Sequence, residues 1–225
     1  MLAHLFVFSD SFSGKQNPGA LYEAHLTRFI TAFRKFGAVT PELELLGEAV
    51  VRLWNRNRQL AIINTVDELT GVLNRRGFFN AIRPLTFFAQ RTNQNVGFLI
   101  ADVDNFKKIN DTFGHQKGDQ ILQAIGTALR ESVRGSDIVG RYGGEEFIVF
   151  FTGMQTDSMV RIAEKIRLAV AEKTRPIVPS TISAGVASAH LEGNIEAKVL
   201  SLIKKADDSL YEAKRTGKNK VVAAG

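Results

Sequence analysis

Residues 138–151, IVGRYGGEEFIVFF, hold two apolar runs on either side of a polar turn. The runs over 138–142 and 147–151 have the length and composition of buried strands, and a Gly-Gly pair between such runs is typical of a tight two-residue hairpin. Glycine also lets the backbone approach a phosphate group closely, because no Cβ atom stands in the way. Since Glu145 and Glu146 follow at once, we expect a hairpin that carries two carboxylates at its tip.

A second apolar run, over 96–103, also ends in acidic residues. It predicts a buried strand, and the alternation of side chains along a strand places Asp102 and Asp104 on one face at its end. Two such carboxylates repel each other unless a cation lies between them, and hard divalent cations take oxygen ligands of this kind. Asp104 could instead cap the turn that follows. Together with the acidic hairpin, this strand end predicts a two-metal site for phosphoryl transfer.

From residue 65 onward, helical and strand periodicities alternate along the chain. A loop is expected over 67–71, followed by a helix over 75–90 that is interrupted at Pro84. Further helices are predicted over 118–132, 157–172 and 198–215, and further strands over 181–189 and 220–223. The order α-β-α-β-β-α-β-α-β predicts an α/β fold in which helices flank a mixed central sheet.

The first 64 residues have a different pattern. Residues 1–40 form a segment of unknown role, with a helix predicted over 21–36. Residues 41–64 predict a helical stalk, because apolar and Asn residues alternate at spacings of three and four in the manner of a coiled-coil seam: Leu43, Leu46, Val50, Leu53, Asn57, Leu60 and Asn64. The same pattern is compatible with one amphipathic helix that packs on its own domain.

The composition narrows the class of protein. The chain has 225 residues and a formal net charge of +6, and it contains no cysteine. The lack of cysteine excludes disulfide scaffolds, iron–sulfur sites and cysteine nucleophiles. No apolar run approaches the roughly 18 residues of a membrane helix, and the apolar start, residues 2–8, lacks the basic flank of a signal peptide. We therefore expect a cytoplasmic protein with an anionic partner: a nucleotide, a nucleic acid or a membrane surface.

The hairpin and the acidic strand end resemble motifs of the GGDEF-domain family, the diguanylate cyclases, in a variant with Glu in place of Asp. The resemblance covers 65–225 and rests on four motifs in order, within 67–76, 102–119, 143–147 and 206–219. It implies a fold similar to the adenylyl cyclase catalytic core and the polymerase palm. It also implies a reaction in which two GTP molecules give cyclic di-GMP and two pyrophosphates across a homodimer.

The resemblance implies a role for individual acidic residues of this chain. Asp102, the carbonyl of Val103 and Glu145 would bind Mg²⁺ or Mn²⁺, with two ions in each active site. Glu145 would also accept the proton of the attacking 3′-hydroxyl, and Glu146 would help to hold the second metal. Lys107 would support catalysis as a charge that neutralises the triphosphate.

The resemblance also implies residues that bind the substrate. Asn110 and Asp119 would read the guanine edge, which suits a carboxylate that accepts hydrogen bonds and an amide that does both. The phosphates would contact Phe106, Lys107, Lys214, Lys218, Gly143 and Gly144. Lys218 stands where the family more often has Arg, so the charge is kept while the bidentate geometry is lost.

The pair Arg134 and Asp137 has the spacing of the family's inhibitory site, where the product binds and holds the domains apart. An Arg fork and a carboxylate can together grip the edges of guanine, although such a pair could also be an ordinary surface ion pair. In the family, an Arg on the following helix of the neighbouring domain often completes this site, and the candidates here are Arg161, Lys165 and Arg167.

Three other interpretations remain open. Some GGDEF domains have lost catalysis and act as receptors for GTP or cyclic di-GMP, although their signatures are usually damaged, whereas Asp102, Glu145 and Glu146 are intact here. A nucleic-acid-binding or polymerase-like protein would suit the basic charge, but no basic groove interleaved with aromatic residues is visible. A relative that makes mixed cyclic dinucleotides would be expected to alter Asp119. We therefore expect nucleotide partners, with no nucleic acid and no membrane segment.

Overall fold

The computed structural model describes Ala49, Arg52 and residues 65–224. Residues Thr65–Gly225 form one compact unit. The predicted segment over 1–40 and the stalk over 41–64 lie outside the described residues, apart from Ala49 and Arg52. The elements follow in the order β1 (Leu73–Asn74), α1 (Arg75–Arg91), β2 (Asn95–Val103), α2 (Phe106–Phe113), α3 (His115–Ser132), β3 (Ile138–Arg141), β4 (Glu146–Thr152), α4 (Thr156–Thr174), β5 (Ile182–His190), α5 (Ile195–Arg215) and β6 (Val221–Ala223).

Six strands form one sheet in the order β1-β3-β4-β2-β5-β6. The two edge strands pair in parallel with their neighbours. Between them, each neighbouring pair in the series β3-β4-β2-β5 is antiparallel. The central strands β2 and β4 are almost entirely buried, as expected for continuous apolar runs that are covered on both faces. The predicted α/β fold with a mixed sheet and flanking helices is confirmed.

Close contacts at two glycines show how the helices cover the sheet. A Cβ atom at Gly97 of β2 would collide with the side chain of Met159 in α4. A Cβ atom at Gly185 of β5 would collide with the backbone of α5 at Ala206. Small residues at these positions therefore allow α4 and α5 to pack closely on the sheet, which fixes the position of α5 beside the strand ends.

The structure differs from the predicted elements at four points before β3. The short strand β1 and the eight-residue helix α2 were not predicted, because neither is long enough to show a clear period. Helix α3 begins at His115 rather than at 118. The helix α1 also runs unbroken through Pro84. Pro84 and Asn80 both lie on the exposed side of α1, where water can satisfy the carbonyl that a proline leaves free.

The predicted two-residue hairpin is wrong. Strand β3 ends at Arg141 and β4 begins at Glu146, and the backbone N–H groups of Tyr142 and Gly143 both donate to the Glu146 carbonyl, at 2.7 and 3.2 Å. Neither Gly143 nor Gly144 has the positive φ that two-residue turns require. A Cβ atom at Gly143 would instead collide with the Glu146 carboxylate, so a larger residue there would require that side chain to move.

Candidate functional site

The register of the central strands brings the predicted acidic residues together. Asp102 of β2 lies directly opposite Glu146 of β4, and the Val103 N–H donates to the Glu145 carbonyl at 3.4 Å. Like charges in directly opposed positions destabilise a sheet. The fold therefore maintains a cluster of three carboxylates, Asp102, Glu145 and Glu146, which we call the acidic cluster, at one end of the sheet.

The acidic cluster is strained electrostatically. Burial raises the pKa of Asp102, which is 5% exposed, and the nearby Asp104 raises it further, while an ion pair with Lys214 opposes the shift. In that ion pair the Lys214 Nζ lies 2.9 Å from the Asp102 Oδ2. Burial, followed by the charge of Asp102, raises the pKa values of Glu145 and Glu146 as well. The cluster therefore carries more negative charge than its protein surroundings balance.

This donor set fits a hard divalent cation. The ligands are oxygen atoms, they carry net negative charge, and their mutual repulsion would be relieved by a cation between them. Within the described ranges, no group of three acidic or histidine side chains is close enough to form a complete cage. A cation here would therefore share its coordination between Asp102, Glu145 and groups that a substrate brings, as is usual for Mg²⁺ bound with phosphates.

The N-terminus of α2 lies at the same end of the sheet, immediately after Asp104. Its N-cap residue, Asn105, is in the left-handed region with φ of 59° and makes no side-chain hydrogen bond to the helix. The first N–H groups of a helix lack intrahelical partners and favour anions. Phe106 is buried and Lys107 is exposed in this first turn, so backbone donors and a cation are presented together.

Asp104 does not belong to the acidic cluster, and it caps no helix. Its Oδ1 accepts a hydrogen bond from the Ser183 hydroxyl at 2.7 Å, and its Oδ2 accepts from the Thr181 hydroxyl at 2.6 Å and the Asn219 N–H at 3.0 Å. The carboxylate therefore joins the end of β2 to β5 and to the turn over 216–220, which carries Lys218. The alternation that places Asp102 and Asp104 on one face does not reveal this difference.

The predicted guanine-binding residues lie on α2 and α3. The Oδ1 atom of Asn110 is buried and has no hydrogen-bond partner within the protein, so it is an acceptor that water or a ligand can satisfy. Gly118 lies against this amide, since a Cβ atom there would collide with Asn110 Oδ1 and come within 3.1 Å of the Phe106 ring. Asp119 is exposed on the next position of α3.

The Arg134–Asp137 pair forms a compact loop rather than an ion pair of two side chains. The Asp137 Oδ2 accepts a hydrogen bond from the Arg134 backbone N–H at 2.9 Å, while its Oδ1 is buried without a partner. Burial raises the pKa of Asp137 despite that hydrogen bond and the Arg134 charge. The guanidinium of Arg134 lies on an exposed residue. The loop therefore offers one unused buried acceptor and one accessible cation.

A cavity of about 300 Å³ adjoins this loop. Its wall is mainly apolar and includes Val66, Val72, Val133, Val139, Arg130 and Asp137. Of the three basic candidates on α4, Lys165 donates to the Ser132 carbonyl at 3.4 Å, near the loop, whereas Arg167 pairs with Glu164 and contacts Asn219. Arg161 donates to the Ser158 hydroxyl at 2.8 Å. Because the completing residue would come from a neighbouring domain, these contacts within one domain leave all three residues as candidates.

Sequence reasoning missed the role of Arg141. Its guanidinium donates to both carboxylate oxygens of Asp67, at 3.1 and 3.2 Å, and to the Gly144 carbonyl, at 3.1 and 2.6 Å. Thr70 donates to the same Asp67 carboxylate. Burial alone would raise the pKa of Asp67, but the hydrogen bonds from Thr70 and Arg141 outweigh it and lower the pKa. Arg141 therefore fixes the hairpin tip to Asp67. In the sequence, the only indication of this role is the position of Arg141 two residues before the Gly-Gly pair.

Within the part of the chain that the structure describes, no helix is both long and apolar enough to cross a lipid bilayer.

Comparison with known proteins adds to this geometry. The family model "Diguanylate cyclase, GGDEF domain" matches residues 64–220. The chain is 41% identical over 159 residues to the diguanylate cyclase DgcM of Escherichia coli, a match that covers 70% of this chain and 38% of that protein. It thus spans well under half the length of this curated relative.

Solved structures give the same result. The active GGEEF domain of a diguanylate cyclase from Vibrio cholerae matches with a TM-score of 0.62 and 32% identity, over 68% of this chain and 97% of that one. The coiled coil and GGDEF domain of DgcB from Caulobacter crescentus, in complex with c-di-GMP, match with a TM-score of 0.66 and 28% identity, over 81% and 97%. The chain therefore belongs to the GGDEF-domain family, the family of the diguanylate cyclases.

Proposed function

We propose that this protein is a diguanylate cyclase, which condenses two GTP molecules into cyclic di-GMP and releases two pyrophosphates. The acidic cluster carries this proposal. It sets Asp102 opposite Glu146, beside an uncapped helix N-terminus and Lys214. That arrangement has donors for metal and phosphate within one small region, as phosphoryl transfer requires.

Substrate binding would use both charge and backbone donors. The triphosphate would contact the first turn of α2 at Phe106 and Lys107, together with Lys214 and Lys218. Gly144 supports a close approach of phosphate to the hairpin, because no described atom lies within 4 Å of the position that its Cβ would take. Asn110 and Asp119 would bind the guanine, and the unpartnered Asn110 Oδ1 supports this role.

Asp102, Glu145 and the Val103 carbonyl would hold Mg²⁺ or Mn²⁺, and Glu146 would help to hold a second ion. When bound, such ions neutralise phosphate oxygens and make a nearby hydroxyl more acidic.

Glu145 would accept the proton of the 3′-hydroxyl of one GTP. The hydroxyl oxygen forms a bond to the α-phosphorus of the GTP on the partner domain, and the bond from that phosphorus to pyrophosphate breaks. The raised pKa of Glu145, caused by burial and by Asp102, makes it a better proton acceptor near neutral pH than an ordinary glutamate. A second attack of the same kind, by the 3′-hydroxyl of the other nucleotide on the α-phosphorus of the first, releases the second pyrophosphate and closes the ring.

This mechanism needs two domains that face each other, so the active form would be a homodimer. The heptad pattern over 41–64 supports a coil that pairs two chains. Product inhibition would act through Arg134 and Asp137, and the unpartnered buried Asp137 Oδ1 supports a ligand at that loop.

The test is to incubate nucleotide-free protein with GTP and Mg²⁺ and to identify the products by chromatography and mass. We expect cyclic di-GMP and pyrophosphate, formed at a rate that rises faster than linearly with protein concentration. The absence of cyclic di-GMP, even when dimerisation is enforced by a fused coiled coil, would refute the cyclase proposal.

A receptor for GTP or cyclic di-GMP is the second candidate, favoured by the buried Asp137 Oδ1 and the adjoining cavity. Binding of cyclic di-GMP without turnover, under the same conditions, would support the receptor and would contradict the cyclase.

A further inference from the structure

Asp104 is buried, and its carboxylate is engaged by three donors from two distant segments. It is 5% exposed. Thr181 and Ser183 donate to it from the start of β5, and the Asn219 N–H donates from the turn over 216–220, the Lys218 turn. The Asp104 N–H also donates to the Thr181 carbonyl at 2.9 Å. Taking a carboxylate out of water in this way is tolerated only when such hydrogen bonds replace hydration.

The Lys218 turn needs an external hold. Lys218 and Asn219 are consecutive residues with positive φ, 62° and 46°, a conformation that non-glycine residues adopt rarely and that persists only where the surroundings impose it. The Lys218 N–H donates to the Ala213 carbonyl at 3.0 Å. The Asn219 N–H has Asp104 as its acceptor. The carboxylate is therefore one of the contacts that impose this backbone conformation.

Asn105, the residue after Asp104, also binds the Lys218 turn. The Nζ atom of Lys218 donates to the Asn105 side-chain oxygen at 2.5 Å. The neighbouring residues Asp104 and Asn105 thus bind the backbone and the ammonium group of the same turn. Lys218 also lies close enough to Asp102 to influence its ionisation, so the turn brings a positive charge to the edge of the acidic cluster.

We propose that Asp104 is a positioning residue for the triphosphate of GTP: it fixes the Lys218 turn so that the Lys218 ammonium stands beside the N-terminus of α2. This inference rests on the proposed function for its ligand. It assigns to Asp104 no contact with substrate or metal; three protein donors engage its two carboxylate oxygens. A flexible lysine in place of arginine makes the position of the backbone more important, since a single ammonium cannot align itself by bidentate contacts.

The first experiment needs no nucleotide. Amide hydrogen exchange of Asn219 is compared between the wild type and the variant Asp104→Ala, with the thermal midpoint measured in parallel. We expect Asn219 exchange to accelerate at least about tenfold while the core of β2 stays protected, because local opening requires less free energy than global unfolding. Unchanged exchange at Asn219 in a folded variant would overturn the proposal.

The second experiment is a double-mutant cycle with Asp104→Ala and Lys218→Ala, measured as the affinity for guanosine 5′-(β,γ-imido)triphosphate. If Asp104 acts through Lys218, Asp104→Ala weakens binding about tenfold in the wild-type background and less than about twofold when Lys218 is already Ala. Equal losses in both backgrounds would overturn the proposal. GMP, which lacks the outer phosphates, should bind the wild type and Asp104→Ala equally.

Two further variants protect the test against a general loss of folding. Thr174→Val removes a buried hydroxyl that bonds to the Val170 and Ser180 carbonyls, so it is a matched control that destabilises a nearby network without touching the Lys218 turn. We expect it to leave affinity for the analogue unchanged. If Asp104→Ala does not fold, the cycle is run with Asp104→Asn, which keeps one acceptor oxygen and should lose about threefold.

The two proposals fail in different ways. A wild-type chain that binds no guanine nucleotide contradicts the proposed function, whereas the exchange of Asn219 still decides whether Asp104 holds the turn. A chain that binds the analogue but shows additive losses in the cycle keeps the proposed function and overturns the role of Asp104.

Discussion

The acidic cluster and the pair of aspartates outside it, Asp67 and Asp104, differ in how their charge is balanced. Asp102 has one ion pair, with Lys214, and Glu145 and Glu146 have pKa values raised by burial and by Asp102. Asp104 accepts three hydrogen bonds, and Asp67 accepts four, from Thr70 and Arg141. Only one residue, Val103, separates Asp102 from Asp104 along the chain.

The difference indicates which carboxylates are available for chemistry. A buried acid whose oxygens are occupied by protein donors stabilises the fold and has no free lone pair directed at a ligand. An acid held beside other acids lowers the stability of the unliganded protein. Such an arrangement is retained at sites where a bound cation or substrate relieves the repulsion. The acidic cluster should therefore respond to substitution through activity, and Asp67 and Asp104 should respond through stability or positioning.

The largest effect is expected from Glu145→Gln. Loss of the proton acceptor should reduce turnover of GTP by about a thousandfold or more, while the thermal midpoint should not fall, because a repelling charge has been removed. Turnover is measured as cyclic di-GMP formed. The matched variant Asp67→Asn should lower the thermal midpoint and retain most of the turnover. A Glu145→Gln enzyme with wild-type turnover would contradict the assignment of Glu145.

Arg134→Ala extends the comparison to Asp137, which has one occupied and one free buried oxygen. Without the accessible guanidinium, the concentration of cyclic di-GMP that halves the rate should rise at least about tenfold, since a charge-assisted hydrogen bond to guanine is lost. The rate without product should stay unchanged. Inhibition curves at several product concentrations measure this, and superimposable curves for the two proteins would remove Arg134 from the inhibitory site.

Leu53→Asp combined with Leu60→Asp should lower turnover without affecting either group of acids. The charges would weaken the predicted coil and reduce the rate at micromolar protein at least about tenfold, because the two domains would meet less often. The sedimentation coefficient and the affinity for the β,γ-imido analogue are measured together. A lower sedimentation coefficient with unchanged affinity is expected, and an unchanged coefficient and rate would exclude the coil.

Lys218→Arg should sharpen the role of the Lys218 turn. The guanidinium can bind phosphate with two parallel hydrogen bonds, so affinity for the β,γ-imido analogue should increase about two- to fivefold. Isothermal titration measures the change, with GMP as the control ligand that should bind equally well to both proteins. A weaker affinity for the analogue would indicate that the turn is built for lysine.

The smallest expected effect is on the pH dependence of the free energy of unfolding. Glu146 and Asp67 should contribute to it with opposite signs. Burial and the charge of Asp102 raise the pKa of Glu146 above 4.5 in the folded protein. As the pH rises, Glu146 therefore loses its proton in the unfolded chain before it does so in the folded protein. The free energy of unfolding falls between the pKa of the unfolded chain and that of the folded protein. Glu146→Gln removes this loss and should raise the thermal midpoint by about 1–3 °C at pH 7 and not at all below pH 4.5.

Asp67 should behave in the reverse manner. Its pKa is lowered below 3.8, because the hydrogen bonds from Thr70 and Arg141 outweigh burial. Its contribution to stability is therefore present above pH 3.8 and is lost as the pH falls through the lowered pKa. Asp67→Asn should destabilise the protein at pH 7 and have no effect at strongly acidic pH. Thermal midpoints across this range check both variants, and shifts of the same sign would contradict the comparison.

The sequence allowed the central part of this comparison to be predicted. The apolar runs that end in Asp102 and surround Glu145 identify the strands and the acidic cluster, because burial and alternation are local properties. The motifs also indicated Asn110 and Asp137, both of which have a buried oxygen without a partner. The six-stranded mixed sheet follows the predicted class.

The parts that could not be predicted depend on contacts between distant residues. The three donors to Asp104 come from residues 181, 183 and 219, far along the chain, so nothing near Asp104 distinguishes it from Asp102. The turn at Gly143 does not use the positive φ that glycine allows, and a Cβ atom there would instead meet the carboxylate of Glu146. Pro84 was expected to interrupt α1, and only the exposure of its helix face explains why it does not.

The direction of β2 has a consequence for engineering this protein. The strand runs nine residues from Asn95 to Val103, so its two ends lie about 27 Å apart at the usual rise per residue. The loop over 191–194 follows β5, which is antiparallel to β2, at the end away from Asp102. Gly193 there has open space around its Cα and contacts the Gln90 amide. Gly193 has a φ of 68°, which disfavours replacing the glycine itself, so a fluorophore or an affinity tag inserted after it would lie far from the acidic cluster.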